Sequence, residues 1–168
     1  MRLSMGALLH VPDPTPQAGF IATDAGWLPA TALAPLSAPA ADWVGAAEAL
    51  LGVPYLWGGN SADGIDCSGL VQLARLAAGC ADPGPRDSDQ QWRHWGRPWP
   101  GGAEPLERGT LAFWRGHVAI VTGPGALIHA NAHHMAVARE PLDAALARIA
   151  ATDGPPLGIG RPDAPDAG

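Results

Sequence analysis

Lysine is absent from this 168-residue sequence, so all ten basic residues are arginines, and 16 acidic residues bring the formal net charge to -6 at pH 7. An acidic chain whose arginines form no basic stripe argues against nucleic acid as a partner. Long apolar runs are also missing, since no stretch approaches the ~18 consecutive apolar residues that a membrane-spanning helix needs. We therefore expect neither a nucleic-acid partner nor a membrane partner.

Cysteine is scarce as well. The sequence holds two, Cys67 and Cys80, which is too few for a disulfide scaffold, and no CxxC metal-binding spacing occurs. At the N-terminus, the apolar residues 5–9 are followed at once by His10, whereas a secretory signal needs an apolar region of ~7–15 residues. The visible N-terminus therefore predicts a cytoplasmic protein.

Glycine and proline are abundant, with 22 and 18 residues, but glycine shows no period of three, which excludes a collagen-like chain. Hydrophobic residues make up 47% of the sequence, enough to bury the core of one domain. Residues 1–36 contain only two short strand-like pieces, and residues 37–41 have the composition of a linker. We expect the main domain to span residues 42–162, with a tail over 163–168.

Helical patterns precede strand patterns along the chain, which favours an α+β fold over an alternating α/β fold. Asp42 is a suitable N-cap for a first helix, and a second helix begins near Cys67 and ends at Gly79. Asp87 or Ser88 can cap a third, short helix. The remaining patterns predict an antiparallel meander, a fourth helix and a last strand, over residues 110–114, 117–122, 126–130, 135–139, 141–150 and 157–161.

Cys67 is the first residue whose context suits catalysis. It lies between a glycine-rich loop and an amphipathic helix, where the positive end of the helix dipole favours the thiolate. The alternative role is that of a small buried hydrophobic residue, which most free cysteines play. Cys80 follows the C-terminus of the same helix, where the dipole disfavours a thiolate, so we expect it to be structural.

His117 and His129 lie in two successive strands that are joined by a short turn. Such strands pair in antiparallel fashion, so the two imidazoles can be neighbours. One can then act as the base for Cys67 while the other orients it through the second ring nitrogen. A single histidine among apolar residues is more often a satisfied core residue, but two on paired strands together with Cys67 favour catalysis.

A metal site is a weaker interpretation of the histidines. His129, His133 and His134 have a suggestive spacing, but we expect the last two in a solvated turn, and the sequence has no HExxH arrangement on a helix. We therefore expect no metal ligands and no cofactor.

Four segments, taken together, form a specific pattern: Tyr55-Leu56-Trp57-Gly58-Gly59, Asp66-Cys67-Ser68-Gly69-Leu70-Val71, Gly116-His117-Val118-Ala119-Ile120 and Ile128-His129-Ala130. This pattern resembles the NlpC/P60 family of papain-like cysteine peptidases over about residues 42–162. The resemblance implies a papain-like fold in which helices carrying the cysteine pack on an antiparallel sheet carrying the two histidines. It makes Cys67 the nucleophile, His117 the base and His129 the third polar residue.

The resemblance also indicates substrate-binding residues. Tyr55, Asp66 and Ser68 match positions that line the substrate site in family members acting on peptides with a free N-terminus, and Trp57 lies in the adjoining glycine-rich loop. Asp66 offers a carboxylate to a substrate ammonium, although it can also serve as a helix cap. The Tyr55 hydroxyl can help to hold the oxyanion beside the backbone N–H of Cys67.

The function that the resemblance implies is hydrolysis of bacterial cell-wall (murein) peptides, usually between γ-D-glutamate and a diamino acid such as meso-diaminopimelate. Residues 1–36 resemble the last strands of a bacterial SH3-like domain. We expect them to wall one end of the cleft and to favour short peptides with a free N-terminal L-Ala, in peptidoglycan turnover or recycling. Two alternatives stay open: an exported cell-wall hydrolase or amidase acting on polymeric peptidoglycan, and a catalytically silent murein-peptide binding module.

Overall fold

The computed structural model describes residues 3–99 and 106–163. The helices in these ranges are α1 (Trp43–Glu48), α2 (Cys67–Ala77), α3 (Ser88–Trp95) and α4 (Leu142–Thr152), with a single 3-10 turn at Ala30–Ala32. The strands are β1 (Phe20–Thr23), β2 (Gly26–Pro29), β3 (Asn60–Ser61), β4 (Gly64–Ile65), β5 (Gly96–Pro98), β6 (Leu111–Trp114), β7 (His117–Gly123), β8 (Ala126–Asn131), β9 (Ala136–Pro141) and β10 (Gly158–Gly160). The predicted tail beyond residue 163 lies outside the described residues.

A six-stranded antiparallel sheet forms the centre of the molecule, in the order β5-β10-β6-β7-β8-β9. Strands β6 to β9 are the predicted meander, which is confirmed. The one strand of this sheet without a sequence signal is β5, because Gly96-Arg97-Pro98 lacks an apolar alternation and is held in the sheet by pairing with β10. The fourth helix is also confirmed, although Pro141 ends β9 and caps α4 rather than entering its first turn.

The two faces of the sheet are buried by different helices, because successive strand residues point to opposite sides. Val118, Ile120 and Ile128 belong to a core cluster shared with α1 and α2. Ala119 and Leu127 belong to a second cluster shared with Ala145 and Ile149 of α4. By the same alternation, His129 lies on the face that α4 covers. None of the described helices combines the length and apolar character required to cross a bilayer.

Arg75 ties the far end of α2 to its surroundings, although it is a charged residue and only 2% exposed. Its guanidinium donates to the carbonyl oxygens of Asp82 and Asp163. It also lies against the rings of Trp43 and Trp95, at 5.7 and 5.1 Å from their centroids. A cation with carbonyl partners and two aromatic faces is satisfied without water.

The N-terminal segment forms the two predicted short strands as a hairpin, with Phe20 opposite Pro29. The resemblance of this segment to an SH3-like domain stays a prediction. Met5 packs against the α1–α2 core cluster, and a Cβ on Gly6 would lie 2.9 Å from the side chain of Leu76. These contacts lie near the C-terminal end of α2, whereas Cys67 begins that helix. The role of the segment as a wall of the cleft therefore gains no support from them.

Candidate active site

Cys67 is the first residue of α2, as predicted, and Asp66 is its N-cap. Burial nevertheless raises the pKa of the Cys67 thiol to about 11, and the neighbouring Asp66 carboxylate acts in the same direction. The expected preference for the thiolate is therefore wrong for the resting site, because burial outweighs the helix terminus. Backbone N–H groups oppose this shift, among them that of Val118, which donates to the sulfur. This contact places the thiol beside the first residues of β7.

His117 opens β7 and His129 lies within β8, and their rings are neighbours, which confirms the proximity predicted from the strands. Nε2 of His117 is 2.9 Å from Nδ1 of His129. Burial lowers the pKa of His117 to about 3 and that of His129 to about 4. The resting pair is therefore neutral. Because Nε2 of His117 is engaged with His129, Nδ1 is the nitrogen left to accept a proton from Cys67.

Two residues that the sequence did not indicate continue this chain of contacts. Glu140 on β9 accepts a hydrogen bond from His129, with 2.7 Å between Oε1 and Nε2. Arg148 on α4 donates in turn to both oxygens of Glu140. Neither residue stands in a recognisable motif, and only the pairing of β8 with β9 brings Glu140 to the histidines.

Arg86 is a third residue that the sequence analysis missed. Its guanidinium donates to both oxygens of Asp66, at 2.9 and 2.7 Å, and also to Ser68 Oγ and the Gly59 carbonyl oxygen. Asp66 further accepts from the backbone N–H groups of Gly58 and Gly69. The pair thus fastens the glycine-rich loop to the start of α2. The sequence gives no signal for this role. The one local feature of Arg86 is that it immediately precedes Asp87, the N-cap of α3.

The four predicted substrate-binding residues have different environments. Trp57 lies in the glycine-rich loop and is 83% exposed. Tyr55 is partly buried, and burial followed by the charges of Cys67 and Asp66 raises the pKa of its phenol. Ser68 is buried, with its hydroxyl between Asp66 and Arg86. Asp66 is the N-cap that its alternative role required, and its role toward a substrate ammonium stays a prediction.

His133, His134 and His94 lie outside the hydrogen-bonded chain of His117, His129 and Glu140, although Nδ1 of His134 is 3.7 Å from Oε1 of Glu140. His133 is exposed in the turn before β9, as predicted. His134 is exposed there too, as predicted, and contacts Asn131 Oδ1 through its Nδ1, and His94 pairs with Asp82 on the surface.

The group of residues that comes closest to a metal site in the described chain is His129, His134 and Glu140, whose ligand atoms lie within 4.8 Å of one another. It differs from the weak candidate of the sequence, because Glu140 takes the place of His133. Arg148 is bound to both carboxylate oxygens, and its positive charge would oppose a metal cation. We therefore interpret this group as part of a hydrogen-bond network.

The arrangement of Cys67, His117 and His129 is suited to nucleophilic catalysis. The neutral His117 can take the thiol proton as the sulfur attacks a carbonyl carbon, and can then return it to the leaving amine. The role of the backbone N–H of Cys67 and of the Tyr55 hydroxyl in stabilising the oxyanion stays a prediction. A cysteine at a helix start and two histidines on an antiparallel sheet define the papain-like class.

Within that class, the sequence profile of the NlpC/P60 family matches residues 52–148. This chain belongs to the NlpC/P60 family. A protein of Mycobacterium tuberculosis named "Probable endopeptidase" is 37% identical over 103 residues, which is 60% of this chain and 26% of that protein. A gamma-D-glutamyl-L-lysine dipeptidyl-peptidase of Bacillus cereus is 35% identical over 117 residues, covering 62% of this chain and 33% of that protein. The chain thus spans about a third or less of these relatives.

Solved structures bear out the fold. A crystal structure of an NlpC/P60 family protein from Bacillus cereus superposes with a TM-score of 0.63 at 27% identity, covering 87% of this chain and 50% of that one. The peptidoglycan hydrolase RipB of Mycobacterium tuberculosis superposes with a TM-score of 0.53 at 28% identity, covering 77% of this chain and 72% of that one.

Proposed function

We propose that this chain is a cysteine endopeptidase that hydrolyses the bond between γ-D-glutamate and a diamino acid in short cell-wall peptides, in peptidoglycan turnover or recycling. The observation that carries the proposal is the contact of His117 with His129 beside the buried thiol of Cys67. The bond is proposed from the Bacillus cereus relative, whose name specifies a γ-D-glutamyl linkage. A catalytically silent binding module has no need of such a base and its orienting partner.

The Asp66–Arg86 pair suits the charges of this substrate. L-Ala-γ-D-Glu peptides carry an ammonium at the N-terminus and a free α-carboxylate on the glutamate, so both signs of charge lie near the scissile bond. Asp66 and Arg86 present both signs directly beside Cys67, with side chains that are 13% and 31% exposed. A substrate can therefore exchange partners with the pair without leaving either charge buried alone.

Arg86 also reduces the expected preference for a free N-terminus. An unpaired Asp66 would favour a free ammonium strongly, whereas here the carboxylate keeps Arg86 when the substrate amine is acetylated. The free energy that the substrate ammonium contributes then approaches that of an exposed ion pair, about 1 kcal/mol or less. This corresponds to a ratio of kcat/KM between free and acetylated peptides of roughly fivefold. We expect free peptides to be cleaved faster than acetylated peptides by up to about this factor.

Mass spectrometry of products from defined peptides tests the proposal. We expect L-Ala-γ-D-Glu-meso-diaminopimelate to yield L-Ala-D-Glu and free diaminopimelate, and the L-Lys counterpart measures which diamino acid is preferred. Cys67→Ala should lose several orders of magnitude in kcat, while Cys80→Ala, which also removes a buried thiol, should retain activity. Cleavage at another bond, or full activity in Cys67→Ala, would contradict the proposal.

The exported hydrolase of polymeric peptidoglycan remains the second candidate, because the chain resembles the peptidoglycan hydrolase RipB. This candidate predicts that intact sacculi are cleaved faster than the short tripeptide. Release of peptide from intact sacculi at a higher rate than from the tripeptide would favour it over turnover of short peptides.

A further inference from the structure

Four side chains from four elements form a continuous hydrogen-bonded chain that starts at the catalytic base. His117 on β7 contacts His129 on β8 at 2.9 Å, and His129 contacts Glu140 on β9 at 2.7 Å. Arg148 on α4 closes the chain by donating to Glu140. His129 is completely buried, so water cannot substitute for either of its partners.

The direction of the hydrogen bonds in this chain follows from the carboxylate. An ionised Glu140 can only accept, so the proton of the neutral His129 must sit on Nε2. Nδ1 of His129 is then an acceptor, and Nε2 of His117 must carry a proton in order to donate to it. A neutral imidazole has one such proton, so Nδ1 of His117 keeps its lone pair. This is the nitrogen that can serve Cys67.

Without an acceptor beyond His129, nothing decides which of the two histidines donates the hydrogen bond between their rings. The contact between the two rings is equally satisfied when His129 donates from Nδ1 and His117 accepts at Nε2. In that arrangement Nδ1 of His117 carries the proton, and it cannot take another from the thiol. The activity of the base therefore depends on a group that contacts neither Cys67 nor the substrate.

The surroundings of Glu140 keep it ionised. Burial alone would raise its pKa, but the hydrogen bonds from Arg148 and His129 outweigh burial and leave the pKa lowered. Within residues 3–99 and 106–163, the other charged or titratable groups near this network are His134 in the β8–β9 turn and Asp153 after α4. A purely structural role, in which the Glu140–Arg148 pair only anchors α4 to β9, makes no prediction about the histidine protons.

We propose that Glu140, held by Arg148, is a positioning residue that acts through His129 to place the proton of His117 on Nε2 and so leaves Nδ1 as the base for Cys67. The role in catalysis rests on the proposed peptidase activity, but the placement of the protons does not. The two can therefore be tested separately.

The first test reads the protons directly. Histidine side-chain ¹⁵N spectra of the full chain at pH 7, assigned with single histidine variants, should show the Nε2–H tautomer at both His117 and His129. In Glu140→Gln the amide can either accept from or donate to His129, so we expect mixed tautomers at both rings. Glu48→Gln is the matched control, since Glu48 is likewise a carboxylate paired with arginine, here Arg108 and Arg139, but lies on α1. An unchanged tautomer in Glu140→Gln overturns the proposal, whatever the substrate of the protein is.

The second test is kinetic. Glu140→Gln should lower kcat by at least about tenfold, with the ~10⁴-fold loss known for a wrong tautomer in serine proteases as the upper limit, and should change KM little. Glu48→Gln should keep kcat within about twofold. An equal loss in both variants, or none in Glu140→Gln, contradicts the proposal.

Arg148→Gln keeps the test decisive if Glu140→Gln does not fold. This variant retains the carboxylate but removes the group that lowers its pKa, so Glu140 becomes protonated at a higher pH. We expect the acidic limb of the kcat profile to move to higher pH. A limb at the same pH as in the parent, with tautomers unchanged at pH 5, would overturn the proposal.

Discussion

At the residue scale, the two histidines have different roles because they form hydrogen bonds through different ring nitrogens. His117 is engaged with His129 through Nε2 alone among the contacts described, whereas His129 is bonded through both nitrogens. A residue at 129 therefore needs one acceptor for His117 and one donor for Glu140. A residue at 117 needs a basic nitrogen, which no amide supplies.

This difference predicts the behaviour of amide substitutions. In His129→Gln the amide oxygen can accept from His117 and the amide nitrogen can donate to Glu140, so we expect measurable activity, reduced by about 10- to 100-fold. In His117→Asn the base is gone, and kcat should fall by several orders of magnitude. Steady-state kinetics on one peptide compares them, with His133→Ala on the exposed turn as the control. Equal losses in the two amide variants would show that the roles are assigned wrongly.

At the element scale, the two glycine-containing motifs belong together because their backbones touch. Gly59 and Gly69 are 10 residues apart in sequence, yet a Cβ on Gly69 would lie 2.5 Å from the Gly59 carbonyl oxygen. A Cβ on Gly59 would in turn lie 2.4 Å from the Gly64 carbonyl oxygen. Since the obstacles are backbone atoms, neither contact can be relieved by rotating a side chain.

Gly69→Ala should therefore destabilise the protein even though alanine is the better helix former. Overpacking costs about 1–3 kcal/mol, while the gain in helix propensity is about 1 kcal/mol at most. Gly123→Ala is the control, since a Cβ there meets nothing within 4 Å, and we expect a change within about 0.5 kcal/mol. Urea denaturation of both variants gives the free energies of unfolding. Equal free energies of unfolding for the two variants would show that the glycine-rich loop can move away from the added Cβ at no loss of stability. An unchanged kcat in Gly69→Ala would show that the loop does not position the nucleophile.

The same scale shows how far sequence reasoning reaches. Local signals were sufficient for α1 and α2, because Asp42 and Asp66 cap them through their own side chains. The meander was also predictable from local signals, because short strand-like runs are separated by turn residues. The contact of His117 with His129 followed from the short turn between their strands. Strand β5, Arg86 and Glu140 were not predictable, because each owes its place to a partner distant in the chain: β10, Asp66 and His129. Such pairings exist only once the chain has folded.

At the scale of the whole molecule, the neutral histidines His117 and His129 link folding to pH. The folded pKa values of His117 and His129 are about 3 and about 4, below the value of about 6.5 for an unfolded histidine. Between these values the unfolded chain binds more protons than the folded chain. The stabilisation is therefore complete above about pH 6.5 and is lost as the pH falls toward the folded values. The lowered pKa of Glu140 adds a further loss as the pH falls through about 4.5, the pKa of an unfolded glutamate.

We expect the free energy of unfolding to fall on acidification from pH 6.5 to 4.5, at a slope of at most about 1.4 kcal/mol per pH unit for each of the two histidines. The upper part of this window lies above the range in which carboxylates titrate, so the slope there belongs mainly to the histidines. The double variant His117→Asn with His129→Gln removes both groups and keeps a donor for Glu140, so its stability should change less over the same window. Urea denaturation at half-unit pH steps measures both curves. Parallel curves for the parent and the double variant would mean that the folded pKa values of the two histidines lie close to that of an unfolded histidine, and that the fold does not keep the pair neutral in this window.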